Sequence, residues 1–143
     1  IVMLTPCLVS AFIMVFVGGI LTEETAPSIL SGYNTMSDEK KKNVDFKAIV
    51  KSFQKVFYGI AIALTIIGIL SYFFENENLW GALLALTITW GLLPLFFVGK
   101  NYDRNIYSKW QIYFNYFIML FLIGLGLVIA ISVYNHEGSF LIE

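Results

Sequence analysis

The stretch SGYNTMSDEKKK, residues 31–42, is polar, ends in three consecutive lysines and is flanked by long apolar runs. The chain has 143 residues, of which 58% are hydrophobic and 13% are charged, and its mean hydropathy is +0.76. Soluble domains are typically about 45–50% apolar and about 25% charged. The composition therefore predicts an integral membrane protein in which this polar stretch is a loop outside the bilayer.

Four apolar runs are long enough to cross a bilayer, because about 20 residues at about 1.5 Å each match a hydrocarbon core of about 30 Å. None of these runs contains Asp, Glu, Lys, Arg or His. The sequence predicts an all-α, single-domain bundle of four transmembrane helices, with Pro94 kinking the third. The predicted spans are residues 1–21, 56–74, 80–99 and 110–134.

The first loop, residues 22–55, is expected to contain one or two short amphipathic helices. Thr25 is expected to cap one helix, and Thr35 forms a capping box with Asp38 that starts another. Within 45–55, apolar residues recur at helical spacing and lysines occupy every fourth position on the other face. Such a helix is expected to lie at the headgroup level before it turns into the second span. Its lysines are Lys47, Lys51 and Lys55.

Charge is distributed unevenly between the loops. All nine Lys and Arg residues lie in loops 22–55 and 100–109, whereas the loop at 75–79 and the C-terminal tail contain four acidic residues and no basic one. Basic loops are retained in the cytoplasm. The sequence therefore predicts a cytoplasmic position for both basic loops and an external position for both termini.

Residue chemistry argues against several classes of function. One cysteine, Cys7, and one histidine, His136, cannot form an intrachain disulfide or a Cys/His zinc cluster. A net charge of -1 suggests no nucleic-acid partner. Proton relays, ion-coupled transporters and intramembrane hydrolases usually place an ionisable group within a span, and none is present here. We therefore expect a non-enzymatic protein without a metal or cofactor.

The box at 31–37, followed by residues 38–42, resembles the hallmark of a family of small bacterial membrane proteins known as a domain of unknown function. In that family a Gly-Tyr-Asn-Thr-Met-Ser box follows the first span and precedes a charged helix and further spans. The resemblance covers about residues 15–70, and this chain carries a further C-terminal span. It implies a protein of the bacterial cytoplasmic (inner) membrane, and it implies no activity, substrate or catalytic residue.

Nine residues are candidate contacts for a partner or for lipid. Those in the box are either architectural or part of a recognition surface. The lysines set the topology and hold anionic lipid headgroups, or they dock a protein. A buried amide in the fourth span is expected to face another helix or to touch a ligand or partner subunit. The candidates are Tyr33, Asn34, Thr35, Lys40, Lys41, Lys42, Lys47, Lys51 and Asn115.

Three roles are compatible with these features. The first is an accessory or stabilising subunit that packs against a larger membrane complex through aromatic-rich and small-residue faces. The second is a self-protection protein that shields its host from a membrane-active toxin, acting alone or as a homo-oligomer. The third is a small exporter or channel, whose path would be lined by Ser10, Thr65, Thr87, Thr89 and Asn115.

Overall fold

The fold is all-helical in the computed structural model, which describes residues 2–30, 33 and 35–137. Within these ranges the chain forms seven helices and no strand, apart from one isolated antiparallel bridge between Val44 and Asp103. The helices are α1 (Leu4–Ile20), α2 (Ala26–Ile29), α3 (Asp38–Lys41), α4 (Phe46–Phe73), α5 (Glu77–Gly91), α6 (Leu95–Tyr102) and α7 (Lys109–Tyr134).

In the part of the chain that the structure describes, three helical segments are long and apolar enough to cross a membrane: Phe46–Phe73, Glu77–Tyr102 and Lys109–Tyr134. They indicate a multi-pass membrane protein. The predicted first span is represented by α1, which is apolar but has only 17 residues. At 1.5 Å per residue α1 is about 25 Å long, which is shorter than a typical hydrocarbon core of about 30 Å.

The predicted turn between a surface helix and the second span is absent, because α4 is a single helix of 28 residues. It begins where the Asp45 carboxylate accepts a hydrogen bond from the backbone N–H of Ala48, at 3.1 Å. No proline or glycine lies between Phe46 and Tyr58 to interrupt the helix. The row of lysines and the membrane-spanning residues therefore share one continuous helix.

Two predicted boundaries need correction. Ser37, and not Thr35, caps α3, because Ser37 has the extended backbone that a cap requires and its hydroxyl accepts the N–H of Lys40. The third loop begins at Asp103, because α6 continues through residues that the sequence placed in loop 100–109. Asn34 lies outside the described residues.

The hydroxyl of Thr25, at the start of α2, binds the end of α1 and makes no capping bond to α2. It accepts the backbone N–H of Thr22 at 2.9 Å and donates to the carbonyl of Ile20 at 2.9 Å. Thr25 stands at the start of a helix, as the sequence predicts. Its hydroxyl, however, donates a hydrogen bond to a carbonyl at the end of α1. These bonds hold the first loop close to the last turn of α1.

The helix predicted for 80–99 is interrupted at residues 92–94, where Pro94 immediately precedes α6. The backbone amides of Leu93 and Leu95 bond to carbonyls three residues back, at Trp90 and Leu92. Proline removes a donor and crowds the preceding turn of a helix, so this tighter hydrogen bonding is its expected local effect. The interruption lets α5 and α6 pack against different neighbours.

Helix α4 lies at the centre of the packing, against α1, α5 and α6, whereas α7 packs mainly against α5. Close approach depends on glycines that face a larger residue of the neighbouring helix. A methyl group built at any of these glycines would lie 3.0 Å or less from the facing side chain. The pairs are Gly18 with Tyr58, Gly68 with Cys7, Gly91 with Ile60, Gly81 with Val133, and Gly126 with Trp90.

The first and third loops, which with the adjoining helix ends contain all the Lys and Arg residues, meet at one end of the molecule, here called the basic end. There the N–H of Arg104 donates to the carbonyl of Asn43 at 3.1 Å, and the side chain of Asn105 donates to the carbonyl of Lys40 at 2.9 Å. At the opposite end the Asn78 amide donates to the Tyr134 carbonyl at 2.9 Å. The two basic loops therefore share one end, as the charge distribution predicted.

Candidate functional site

A cavity of about 930 Å³ opens at the basic end between α1, α4, α6 and α7. Binding sites for small molecules typically occupy about 300–1,000 Å³ and combine apolar walls with a few polar groups. Most of the lining is aliphatic or aromatic, and the polar side chains cluster in the residues of the first and third loops and the adjoining helix ends. Those polar residues are Tyr33, Lys100, Asp103, Tyr107, Gln111 and Asn115.

The cavity follows from the interruption at Pro94. Before it, α5 packs against both α4 and α7; after it, α6 packs against α4. The part of α7 nearest the basic end therefore has little support, and every residue from Lys109 to Phe117 is exposed. The space between α6 and this part of α7 becomes the cavity.

Asp103 connects the polar groups at the rim. Its carboxylate accepts hydrogen bonds from the Tyr107 hydroxyl and, at 2.9 Å, from the backbone N–H of Asn105. The negative charge of this carboxylate also acts on the Tyr33 hydroxyl. The Tyr33 ring packs edge-on against Phe46, with ring centroids 5.5 Å apart. A residue of the first loop and a residue of the third loop are thus joined at the mouth of the cavity.

The two tyrosines remain donors over a wide pH range. Burial raises the pKa of Tyr33 to about 12, and the negative charge of Asp103 and the hydrogen bond to it act in the same direction. Burial, followed by the hydrogen bond to Asp103, also raises the pKa of Tyr107. Ionising either hydroxyl would place a second negative charge beside the carboxylate.

We expect the contribution of Tyr33 to stability to disappear at high pH. Unfolded tyrosine loses its proton near its ordinary pKa of about 10, whereas folded Tyr33 holds its proton to about 12. The raised pKa therefore stabilises the fold fully below pH ~10, and this stabilisation falls away as the pH rises to about 12. The measurement is the difference in Tm between the wild type and Tyr33→Phe across this window. A difference that stayed constant would contradict the assignment.

Lys100 supplies the positive charge at the rim. Its ammonium group lies 3.2 Å from the Tyr116 hydroxyl and 5.1 and 5.5 Å from the ring centroids of Tyr116 and Phe97. It makes no salt bridge within the described residues. The ring faces hold the cation in place by cation–π attraction but do not neutralise it. Lys100 therefore remains available to an anionic group.

Of the eight predicted contacts that lie within the described residues, the structure brings two together, Tyr33 and Asn115, which both line the cavity. Thr35 is exposed, and the backbone of Lys40 contributes to the junction of the two basic loops. Lys47 and Lys51 are exposed on α4, away from the cavity lining. The two remaining candidate lysines, Lys41 and Lys42, are partly exposed and exposed, respectively.

Sequence reasoning missed Lys100, Asp103, Tyr107 and Gln111. The available signal was the concentration of charged and aromatic residues in 100–111, immediately after an apolar span. This stretch was interpreted only as a topology signal. Pairing Tyr33 with Asp103 required knowledge of a contact between residues 70 positions apart.

The polar residues predicted to line a transport path are not brought together. Asn115 lines the cavity, whereas Thr87 lines a separate shallow groove between α4 and α5. The hydroxyls of Thr65, Thr87 and Thr89 donate to carbonyls of their own helices, at 2.7–2.8 Å. In residues 2–30, 33 and 35–137, no group of three His, Cys, Asp or Glu side chains is placed to hold a metal ion.

Comparison with protein families gives a match over more than half of the chain. A family model described as "Domain of unknown function (DUF3784)" matches residues 8–102. The match begins within α1 and ends with α6, so it extends beyond the 15–70 predicted from the box and leaves α7 outside. No curated protein and no solved structure matches the chain.

Proposed function

This chain belongs to the DUF3784 family, whose function is unknown, and we propose that it is a non-enzymatic accessory subunit that binds another membrane protein through α7. It resides in a bacterial cytoplasmic membrane with four spans, α1 being the first. The basic end faces the cytoplasm and both termini face outward. The segregation of all Lys and Arg residues at one end supports this orientation.

The observation that carries the proposal is a stripe of exposed aromatic residues along α7, here called the α7 stripe. Trp110, Tyr113, Phe117 and Phe121 follow one another at intervals of three or four residues and are 76%, 64%, 63% and 58% exposed. Residues at this spacing share one face of a helix. Gly124 continues the stripe and has no heavy atom within 4 Å of a built methyl group.

This face combines two features of helix–helix interfaces. The few residues that contribute most of the binding energy in protein interfaces are enriched in large aromatic side chains such as Trp and Tyr, and an open glycine lets a second helix approach closely in the membrane. The stripe also lies outside the residues matched by the family, 8–102. It therefore adds a docking face to the family's helical unit. Lipid covers such a face as well, so the test must distinguish lipid from protein.

A photo-crosslinking residue at Phe117 is expected to give one discrete protein adduct in cells that contain the native membrane partners. The reason is that a helix bound along the α7 stripe lies within contact distance of this position. The matched control is the same residue at Phe16, which is 60% exposed on α1. Denaturing gels and mass spectrometry of the purified adducts give the readout.

Three outcomes of this experiment are informative. A single adduct with a different protein at Phe117 but not at Phe16 supports the accessory-subunit proposal. Lipid adducts alone at both positions overturn it. An adduct of twice the mass of the chain also overturns it and identifies the stripe as an interface between copies of this protein.

A further inference from the structure

We propose that the cavity at the basic end binds one anionic phospholipid, with its phosphate against Lys100 and an acyl chain between α1 and α7. This site is separate from the α7 stripe and does not depend on the proposed subunit role.

The walls suit an acyl chain. They are formed by the parts of the apolar helices nearest the basic end, including Ile20 of α1, Phe53 and Phe57 of α4, and Ile118 of α7. A water-soluble ligand would leave these groups without apolar contacts. An amphiphile entering from the bilayer keeps its chain beside these walls and its headgroup at the polar rim.

The charge available at the rim is positive. Asp103 is the acidic residue there, and its oxygens already accept hydrogen bonds from the Tyr107 hydroxyl and the backbone of Asn105. These bonds occupy the carboxylate and reduce its capacity to bind a cationic headgroup. Lys100 makes no salt bridge within the described part of the chain. Basic pockets between helices on the cytoplasmic side are typical sites for anionic headgroups.

Two amides of α7 can complete a phosphate site. Gln111 uses its side-chain oxygen to accept hydrogen bonds from the Ser108 backbone and hydroxyl, at 2.9 and 3.2 Å. Its side-chain NH₂ group is left as a donor. The side chain of Asn115 makes no hydrogen bond within the described residues. Gln111 and Asn115 are four residues apart, so both donors lie on the face of α7 that lines the cavity.

The test is native mass spectrometry of the full chain titrated with dioleoyl phosphatidylglycerol and, separately, with dioleoyl phosphatidylcholine. These lipids share acyl chains and differ in headgroup charge. We expect one tightly retained phosphatidylglycerol and weaker retention of phosphatidylcholine. Lys100→Gln is expected to weaken phosphatidylglycerol binding about fivefold, as removal of one lysine from an anionic-lipid contact predicts. Lys100→Arg should retain the preference.

Lys51→Gln is the matched control, because Lys51 is an exposed lysine of α4 that does not line the cavity. The Lys51→Gln variant should keep the preference for phosphatidylglycerol over phosphatidylcholine unchanged. If Lys51→Gln and Lys100→Gln weakened phosphatidylglycerol binding equally, the lipid would be held by nonspecific electrostatic attraction to the protein surface. That result would overturn the proposed site. Equal retention of the two lipids by the wild type would overturn the headgroup assignment. Ile118→Trp, which fills the cavity, should weaken binding of both lipids; unchanged binding would place them elsewhere.

Discussion

Gly126→Ala is expected to destabilise the protein by about 1–3 kcal/mol relative to Gly124→Ala, because overpacking of a close helix contact typically costs this much. A methyl group at Gly126 would lie 2.4 Å from the Thr89 hydroxyl oxygen and 2.8 Å from the Trp90 indole nitrogen. Neither group can move away from the methyl group without breaking a hydrogen bond. Thr89 donates to Ala85, and Trp90 donates to the carbonyl of Ile123 at 3.2 Å.

The two glycines form a matched pair. Both lie inside α7, so alanine raises the intrinsic helix propensity equally, by about 1 kcal/mol. A methyl group at Gly124 meets no heavy atom within 4 Å. The difference between the variants therefore isolates the contact of α7 with α5.

Thermal unfolding in detergent, followed by tryptophan fluorescence, measures this difference, and Trp90 reports the α5–α7 contact directly. Equal Tm values for the two alanine variants would show that α5 and α7 are not packed at this point. A lower Tm for Gly124→Ala than for Gly126→Ala would reverse the assignment of the two glycine faces.

Gln54→Leu is expected to destabilise the protein by about 1–3 kcal/mol, the usual cost of leaving buried polar groups without partners. The Gln54 amide donates to the carbonyls of Gly18 and Leu21, at 3.2 and 2.9 Å. The last carbonyls of a helix have no partner within that helix. Gln54 therefore satisfies the end of α1 from α4 and ties the two helices together.

Leucine has a volume similar to that of glutamine, so Gln54→Leu removes the hydrogen bonds with little change in packing. Lys51→Leu provides the control on the same helix, because Lys51 is exposed and surface substitutions usually change stability by less than about 0.5 kcal/mol. Chemical denaturation in mixed micelles measures both variants. A Gln54→Leu protein as stable as the Lys51→Leu protein would mean that water replaces the two hydrogen bonds without cost.

The sequence correctly predicted the local features that depend on interactions between neighbouring residues. The positions of the apolar helices, the start of α2 after Thr25 and the interruption at Pro94 all follow from neighbouring residues. The errors were also local. Ser37 replaced Thr35 as a cap because the backbone is extended at Ser37, and α4 continues without a turn because nothing in its first twelve residues interrupts it.

The sequence by itself determined a helical membrane protein with its positive charge concentrated in two loops, because composition and loop charge do not depend on how helices pack. Only the tertiary structure decided that Tyr33, Lys100 and Asn115 line one cavity. Their proximity depends on α6 staying against α4 while α7 follows α5. That separation results from packing between helices distant in sequence, and no local pattern of residues encodes it.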